Sequence, residues 1–131
     1  MSAYSLSDYG DMIADEPRTS AYIQALRATV APGDVVLDLG AGTGFFSMVA
    51  CRLGASHAYA VETNPAIRVG PDLAEANGLG DRITFLEESA LDVRLEEKAD
   101  VVVADLRGIL PLHGSHIPLL DDARNRHLAP D

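Results

Sequence analysis

The chain reads as an α/β domain of the doubly wound, Rossmann-like kind: a mostly parallel sheet with helices on both faces and a helical segment ahead of it. Three observations predict this. Val35 to Leu39 is an apolar run broken only by Asp38, and Gly40, Gly42 and Gly44 follow at once. Helix-spaced apolar residues come next (Phe45, Phe46, Met48, Val49, Leu53), then a second apolar run, Ala58 to Val61, that ends at an acid, Glu62. Two more short apolar runs, Ile83 to Leu86 and Val101 to Ala104, continue the pattern. Strands separated by helical crossovers form a parallel sheet, and short continuous apolar runs suit strands buried on both faces.

Each element has a local reason. Residues 1–16 are polar with scattered aromatics and predict a short helix or ordered arm. Pro17 suits the first position of a helix running to about Val30, with Tyr22, Ile23, Leu26 and Val30 as its apolar stripe. Ala31-Pro32-Gly33-Asp34 is a turn into the first strand. Gly54 is placed to end the helix after the glycine loop. Asn64-Pro65 marks a turn or helix start, and Pro71 interrupts the next helical stretch, which restarts there and ends at Asn77-Gly78. A final helix is expected from about Leu119 to His127. Residues 1–30 are thus a helical segment and residues 31–131 the core of a single domain, as suits 131 residues. The last residues, Leu128-Ala129-Pro130-Asp131, stand where a turn normally feeds another strand, so the chain is expected to be truncated after its fourth strand.

Composition narrows the function. Hydrophobic residues make up 47% of the chain, enough for a real core. Net charge is −10, from 20 acids and 10 bases, which argues against binding a nucleic-acid backbone and is compatible with a basic protein or peptide as partner. Cys51 is the single cysteine, so no intramolecular disulfide forms, and its place in an apolar helix predicts a packed thiol. No leader-like start and no apolar run of membrane-spanning length is present, and the chain reads as cytoplasmic. His57, His113, His116 and His127 make no zinc spacing, and no metal is expected.

The glycine loop and Glu62 carry the chemistry. Alternate glycines let the backbone turn tightly and approach a ligand, and the following helix start offers N–H groups to an electron-rich one. Glu62 lies 22 residues after Gly40, where doubly wound folds place an acid on ribose hydroxyls. A carboxylate suits that role because its two oxygens accept two hydroxyl hydrogen bonds at once. A dinucleotide fingerprint would put its third glycine at residue 45, which is Phe, and the third glycine here comes one residue earlier. An acid also sits two residues ahead of the first glycine, at Asp38. This spacing speaks against a nicotinamide cofactor.

The stretch Asp38-Leu39-Gly40-Ala41-Gly42-Thr43-Gly44 resembles motif I of class I S-adenosylmethionine-dependent methyltransferases. The region from Tyr9 to Tyr22 is similar to the N-terminal motif of protein arginine methyltransferases, Met-x-x-Asp-x-x-Arg-Thr-x-x-Tyr, with Met12, Asp15, Arg18, Thr19 and Tyr22 on its spacing. Gly54-Ala55, Asn77-Gly78-Leu79 and Leu128-Ala129-Pro130 also look like that family, so the resemblance runs from about residue 4 to the end. It implies S-adenosylmethionine as cofactor, with Asp38, Gly40 and Gly42 of motif I among the residues that bind it, the loop against its methionine part and Glu62 on its ribose. Arg18 would pair with the cofactor carboxylate, with a surface pair to Asp15 or Glu16 as the alternative. Met12 would pack near the sulfonium, and Tyr9 stands where the family has a cofactor-contacting histidine. Adenine would lie against Glu87 to Leu91, where Ser89 or Glu88 would accept from its amine. Class I domains have seven strands, of which four are legible here.

The acceptor side departs from the family. Arginine methyltransferases follow the fourth strand with a hairpin bearing two glutamates that hold the guanidinium. Here Asp105 stands for the first, Gly108 keeps the central glycine, Arg107 adds a positive charge, and the second position falls on Gly114. Asp105 is the candidate for substrate positioning, with His113 second. The expectation is a methyltransferase with an altered acceptor loop; the alternative is a non-catalytic or truncated cofactor-binding relative. An open sheet edge also predicts self-association into a homo-oligomer.

Overall fold

A computed structural model describes residues 5–104 and 116–130 (for residues 8, 9, 12 and 116–120, the backbone only). Two helices open the chain, α1 (Leu6–Ala14) and α2 (Glu16–Thr29). Asp15 caps α2 by accepting the Arg18 N–H at 3.4 Å, and Pro17 sits in the first turn, where its missing N–H costs nothing. The Thr19 hydroxyl donates to the Ile13 carbonyl at 2.8 Å and ties the two helices together.

The core follows as β1 (Val35–Leu39), α3 (Phe45–Arg52), β2 (His57–Val61), a 3₁₀ turn (Pro65–Val69), α4 (Gly70–Ala76), β3 (Ile83–Leu86), β4 (Val101–Ala104) and α5 (His116–Arg126). The strands form one parallel sheet in the order β3-β2-β1-β4. Every residue of β1 is buried, as expected of a central strand covered on both faces. Val36 packs with Leu26, Val30, Phe46, Ala50 and Ala74 under α2, α3 and α4. Val35, Leu37 and Leu39 face the other way, onto Val93, Ala99 and Ala123 of α5. This period-two alternation puts Asp38 on the same face as Val36, beneath α3.

Two boundaries differ from the sequence expectation, and the Asn64-Pro65 expectation of a turn or helix start is met. α5 begins at His116 rather than about Leu119, so Pro118 falls in its first turn, which needs no N–H from it. β2 gains His57, which lies parallel to Val35 and whose Nε2 is 2.7 Å from the Thr84 hydroxyl. The Asn64-Pro65 signal opens a 3₁₀ turn, capped by the Asn64 side chain accepting from the Ala66 N–H at 2.9 Å. Leu128 pairs in parallel with Ala99, through Ala99 N–H to His127 O and Ala129 N–H to Ala99 O, each at 2.7 Å. The chain thus returns alongside β4 at Leu128-Ala129, where the sequence placed the approach to another strand. Cys51 is buried as expected, its thiol 3.7 Å from the Arg82 carbonyl. Among the described residues no helix is long and apolar enough to cross a membrane.

The crossover from β2 to β3 packs tightly against the glycine loop. A Cβ on Gly70 would run into the Phe85 ring and come within 2.9 Å of the Thr43 carbonyl, whereas one on Gly10 meets nothing within 4 Å. The same substitution is therefore expected to have opposite signs at the two sites. Gly70→Ala should cost roughly 1–3 kcal/mol through overpacking, while Gly10→Ala should gain roughly 0.5–1 kcal/mol of helix propensity. Urea denaturation midpoints of the two variants check this; equal shifts of the same sign would contradict the packing.

Candidate functional site

The chain builds from β1 outward to β2 and β3, then crosses to the far side of β1 for β4. Ligands of open α/β sheets lie beyond the carboxyl ends of the strands at such a switch point. The sequence candidates fall on that edge. Gly40, Gly42 and Gly44 follow β1, Glu62 follows β2 and Ser89 follows β3. Asp105 follows β4 in sequence but lies outside the described residues, as do His113 and the side chains of Tyr9 and Met12.

Glu62 and the loop meet directly. The Gly42 N–H donates to Glu62 Oε1 at 2.8 Å, and the Asn64 N–H donates to Oε2 at 3.0 Å. The amides of Gly40 and Ala41 both donate to the Val61 carbonyl, at 3.0 and 3.1 Å. The end of β2 therefore organises three consecutive loop amides. All three glycines adopt positive φ (67°, 58° and 93°), which side chains on those residues would strain. Phe85 supports the loop from β3, since a Cβ on Gly44 would come within 2.7 Å of its ring.

Asp38, expected among the cofactor-binding residues, lies instead beneath the loop, fully buried, because β1 turns its side chain under α3. Its Oδ2 accepts from the Ser47 hydroxyl at 2.8 Å, while Oδ1 is buried with no hydrogen-bond partner. Burial pushes its carboxyl up to about 7; the Ser47 hydrogen bonds oppose that, and the neighbouring Glu62 adds to it. Arg18 projects from α2 toward the start of α3, its guanidinium carbon 5.3 Å from the Tyr22 ring centre and 5.9 Å from that of Phe46. Tyr22 and Phe46 stack at 4.8 Å, so one aromatic pair fixes α2 against the helix that leaves the loop.

The stretch after β3, where the sequence predicts adenine, is an ordered turn. The Ser89 hydroxyl accepts from the Leu91 N–H at 3.3 Å, and its carbonyl accepts from the amides of Asp92 and Val93. The Glu62 N–H donates to the Leu86 carbonyl at 3.1 Å, which sets the start of this turn beside the acid. Glu87 is held by Arg68 through two hydrogen bonds, of 2.7 and 3.0 Å. Sequence reasoning missed Ser47, Asn64 as a partner of Glu62, and Phe85. Asn64-Pro65 was a visible turn signal; Ser47 and Phe85 carry no signal, because Ser47 meets Asp38 on the neighbouring strand and Phe85 meets the loop only across the fold.

These residues fit a nucleoside cofactor. Each Glu62 oxygen has a second lone pair, so ribose hydroxyls can be accepted with the backbone donors in place. The half-buried carboxylate sits at the rim of the glycine loop, beside a turn carrying a hydroxyl.

The family described as ribosomal protein L11 methyltransferase (PrmA) matches residues 15–111, and the chain belongs to that methyltransferase family. It is also similar to protein arginine methyltransferases. It is 36% identical to protein arginine N-methyltransferase 1 of Schizosaccharomyces pombe, over 92% of this chain and 36% of that protein. It is 33% identical to probable protein arginine N-methyltransferase 6 of Arabidopsis thaliana, over 92% of this chain and 28% of that protein. Among solved structures it superimposes on Arabidopsis thaliana protein arginine methyltransferase 10 with TM-score 0.88 and 32% identity, covering 96% of this chain and 37% of that one. The Trypanosoma brucei PRMT1 enzyme-prozyme heterotetrameric complex with AdoHcy gives TM-score 0.87 and 29% identity, covering 94% and 39%. The chain spans about a third of the length of the relatives it matches. The acceptors named by the family and by the relatives differ; S-adenosylmethionine as methyl donor is common to them, and it is the cofactor indicated here.

Asp38 yields a pH prediction. Its folded-state pKa is raised, so its stabilising contribution is complete below the unfolded value of 3.8 and is lost as pH rises through about 7. Asp38→Asn mimics the protonated form and does not titrate. Between about pH 4 and about pH 8 the wild type should lose stability relative to Asp38→Asn by a few kcal/mol. Denaturant titrations of both across that range test it, and parallel pH curves would contradict it.

Proposed function

We propose that this chain is the cofactor-binding part of an S-adenosylmethionine-dependent methyltransferase acting on a basic protein or peptide. The observation that carries the reading is the Glu62 carboxylate, hydrogen-bonded to Gly42 of the glycine loop at 2.8 Å at the switch point of the sheet. In this reading Gly40 and Gly42 lie against the methionine part, Glu62 accepts the ribose hydroxyls and Ser89 accepts from the adenine amine. Arg18 pairs with the cofactor carboxylate; its place beside Phe46 puts a cation near the loop, and a guanidinium fork matches a carboxylate. Asp38 lies beneath, supporting the loop. By the family resemblance, Met12 and Tyr9 also belong to the cofactor-binding residues. S-adenosylmethionine supplies an activated methyl group, and the protein's share is orientation and electrostatics.

Asp105 positions the acceptor, and Gly114 in place of a second glutamate alters that grip. The net charge of −10 and the names of the relatives favour a cationic protein substrate over nucleic acid. The open sheet edge favours a homo-oligomer, and the heterotetrameric assembly of the trypanosome relative is compatible with oligomerisation. Residues 1–131 form a single domain in this reading, and a cytoplasmic location accords with it.

Calorimetric titration with S-adenosylhomocysteine tests the proposal, with NAD as control. Removing charge-assisted hydrogen bonds worth roughly 1.5–3 kcal/mol each means that Glu62→Ala should bind at least about tenfold more weakly. Methyl transfer from labelled cofactor to arginine-rich peptides should follow in the full protein. Equal affinity in wild type and variant, or binding of NAD in preference, would overturn the cofactor assignment. Binding without transfer to any basic acceptor would favour the non-catalytic relative, for which Gly114 already argues.

A further inference from the structure

Arg126, at the last turn of α5, is the most heavily engaged cation among the described residues, and nothing assigned so far uses it. Its Nε donates to Asp122 Oδ1 at 2.6 Å and its Nη2 to Asp122 Oδ2 at 2.8 Å, one helical turn back. The same guanidinium reaches three backbone carbonyls on a different part of the chain. Nη1 donates to Val93 O at 3.1 Å, and Nη2 to Ala90 O at 3.1 Å and Leu91 O at 3.0 Å. Both side chains are about three-quarters buried; the bonds to Asp122, Val93 and Ala90 are partly buried, and the one to Leu91 is exposed.

Those carbonyls belong to the turn that leaves β3. Its near end is fixed beside the ribose acid by the Glu62 N–H to Leu86 O, and its first residue, Glu87, is gripped by Arg68. Ser89 lies between that anchored start and the three carbonyls held by Arg126. Val93 is buried in the core under α5, but Leu91 is half exposed and offers no apolar anchor. A turn without regular strand or helix pairing needs its carbonyls satisfied to keep one conformation. A planar fork preset by Asp122 does this for three of them at once.

We propose that Arg126, oriented by Asp122, is a positioning residue for adenine recognition: it holds the 89–93 turn so that the Ser89 hydroxyl faces the adenine amine. This rests on the cofactor reading above. The recognition it governs is of the base, not of the ribose or the methionine part, because the loop bonds of Glu62 do not involve α5.

The test compares S-adenosylhomocysteine with its purine-riboside analogue, which carries only hydrogen at C6 in place of the adenine amine and so offers a hydroxyl neither donor nor acceptor there, by calorimetry on the full chain. The wild type should prefer the adenosyl compound. Arg126→Gln should weaken that compound by about tenfold, as loss of support around a binding group does, and leave the purine-riboside analogue nearly unchanged. The discrimination therefore collapses. Arg126→Lys should recover part of it. Asp122→Asn, which keeps all three carbonyl bonds but loosens the fork, should give an intermediate loss and remains informative if Arg126→Gln does not fold. Folded variants that keep the wild-type ratio of the two affinities, or that lose both equally, would overturn the proposal. Failure of the wild type itself to bind either compound would instead overturn the cofactor reading.

Discussion

The hydrogen bond from the Gly42 amide to the Glu62 carboxylate is the constraint on which the rest of the site depends. It joins the ends of two adjacent parallel strands, and with the two amides held by Val61 it sets the path of the glycine loop. A loop with three residues at positive φ has many alternatives in the unfolded chain, so its single conformation must be supported from outside. Glu62 supplies that support while its second oxygen, on the Asn64 amide, fixes the start of the next crossover. The same carboxylate thereby stabilises the fold and faces the ligand edge. In the proposed reading, structure and recognition are coupled in one side chain.

The surrounding layers serve that arrangement in different ways. Phe85 wedges against Gly44 and Gly70, which leaves little freedom for the loop to move toward β3. Below it, the buried Asp38–Ser47 pair is a costlier device, because a carboxyl in the core keeps one oxygen without a hydrogen-bond partner. Burial answers by shifting Asp38 toward its neutral form, which limits the charge placed close to Glu62. On the outer side, the Tyr22–Phe46 stack seats α2 on α3 and carries Arg18 toward the loop. Each contact crosses from one element to another, so the site edge is built from long-range packing rather than from the loop alone.

That difference explains what was legible in the sequence. The strands were readable because each is a short apolar run bounded by a breaker, and β1 and β3 match residue for residue. Pro71 and Asn77-Gly78 gave the limits of α4 for the same reason. Gly42 and Glu62 were readable because their separation follows from the geometry of a strand, a helix and a second strand. The start of α5 was not, since Pro118 reads as a breaker and only its position within the first turn makes it harmless. Ser47 and Phe85 were invisible: nothing in a helix or strand pattern says which small hydroxyl will meet a buried acid, or which ring two glycines must clear. Arg126 carries no signal of its role, since the carbonyls it holds lie 33 to 36 residues away.

The central claim is that the carboxylate organising the loop is also the one that receives the ribose. A crystal structure of the protein with S-adenosylhomocysteine tests this most directly. The account predicts both ribose hydroxyls on Glu62, with the Gly42 amide still donating to the same carboxylate and the base against the turn at Ser89. A ligand seated elsewhere, or a Glu62 side chain turned away from both the loop and the ribose, would contradict it.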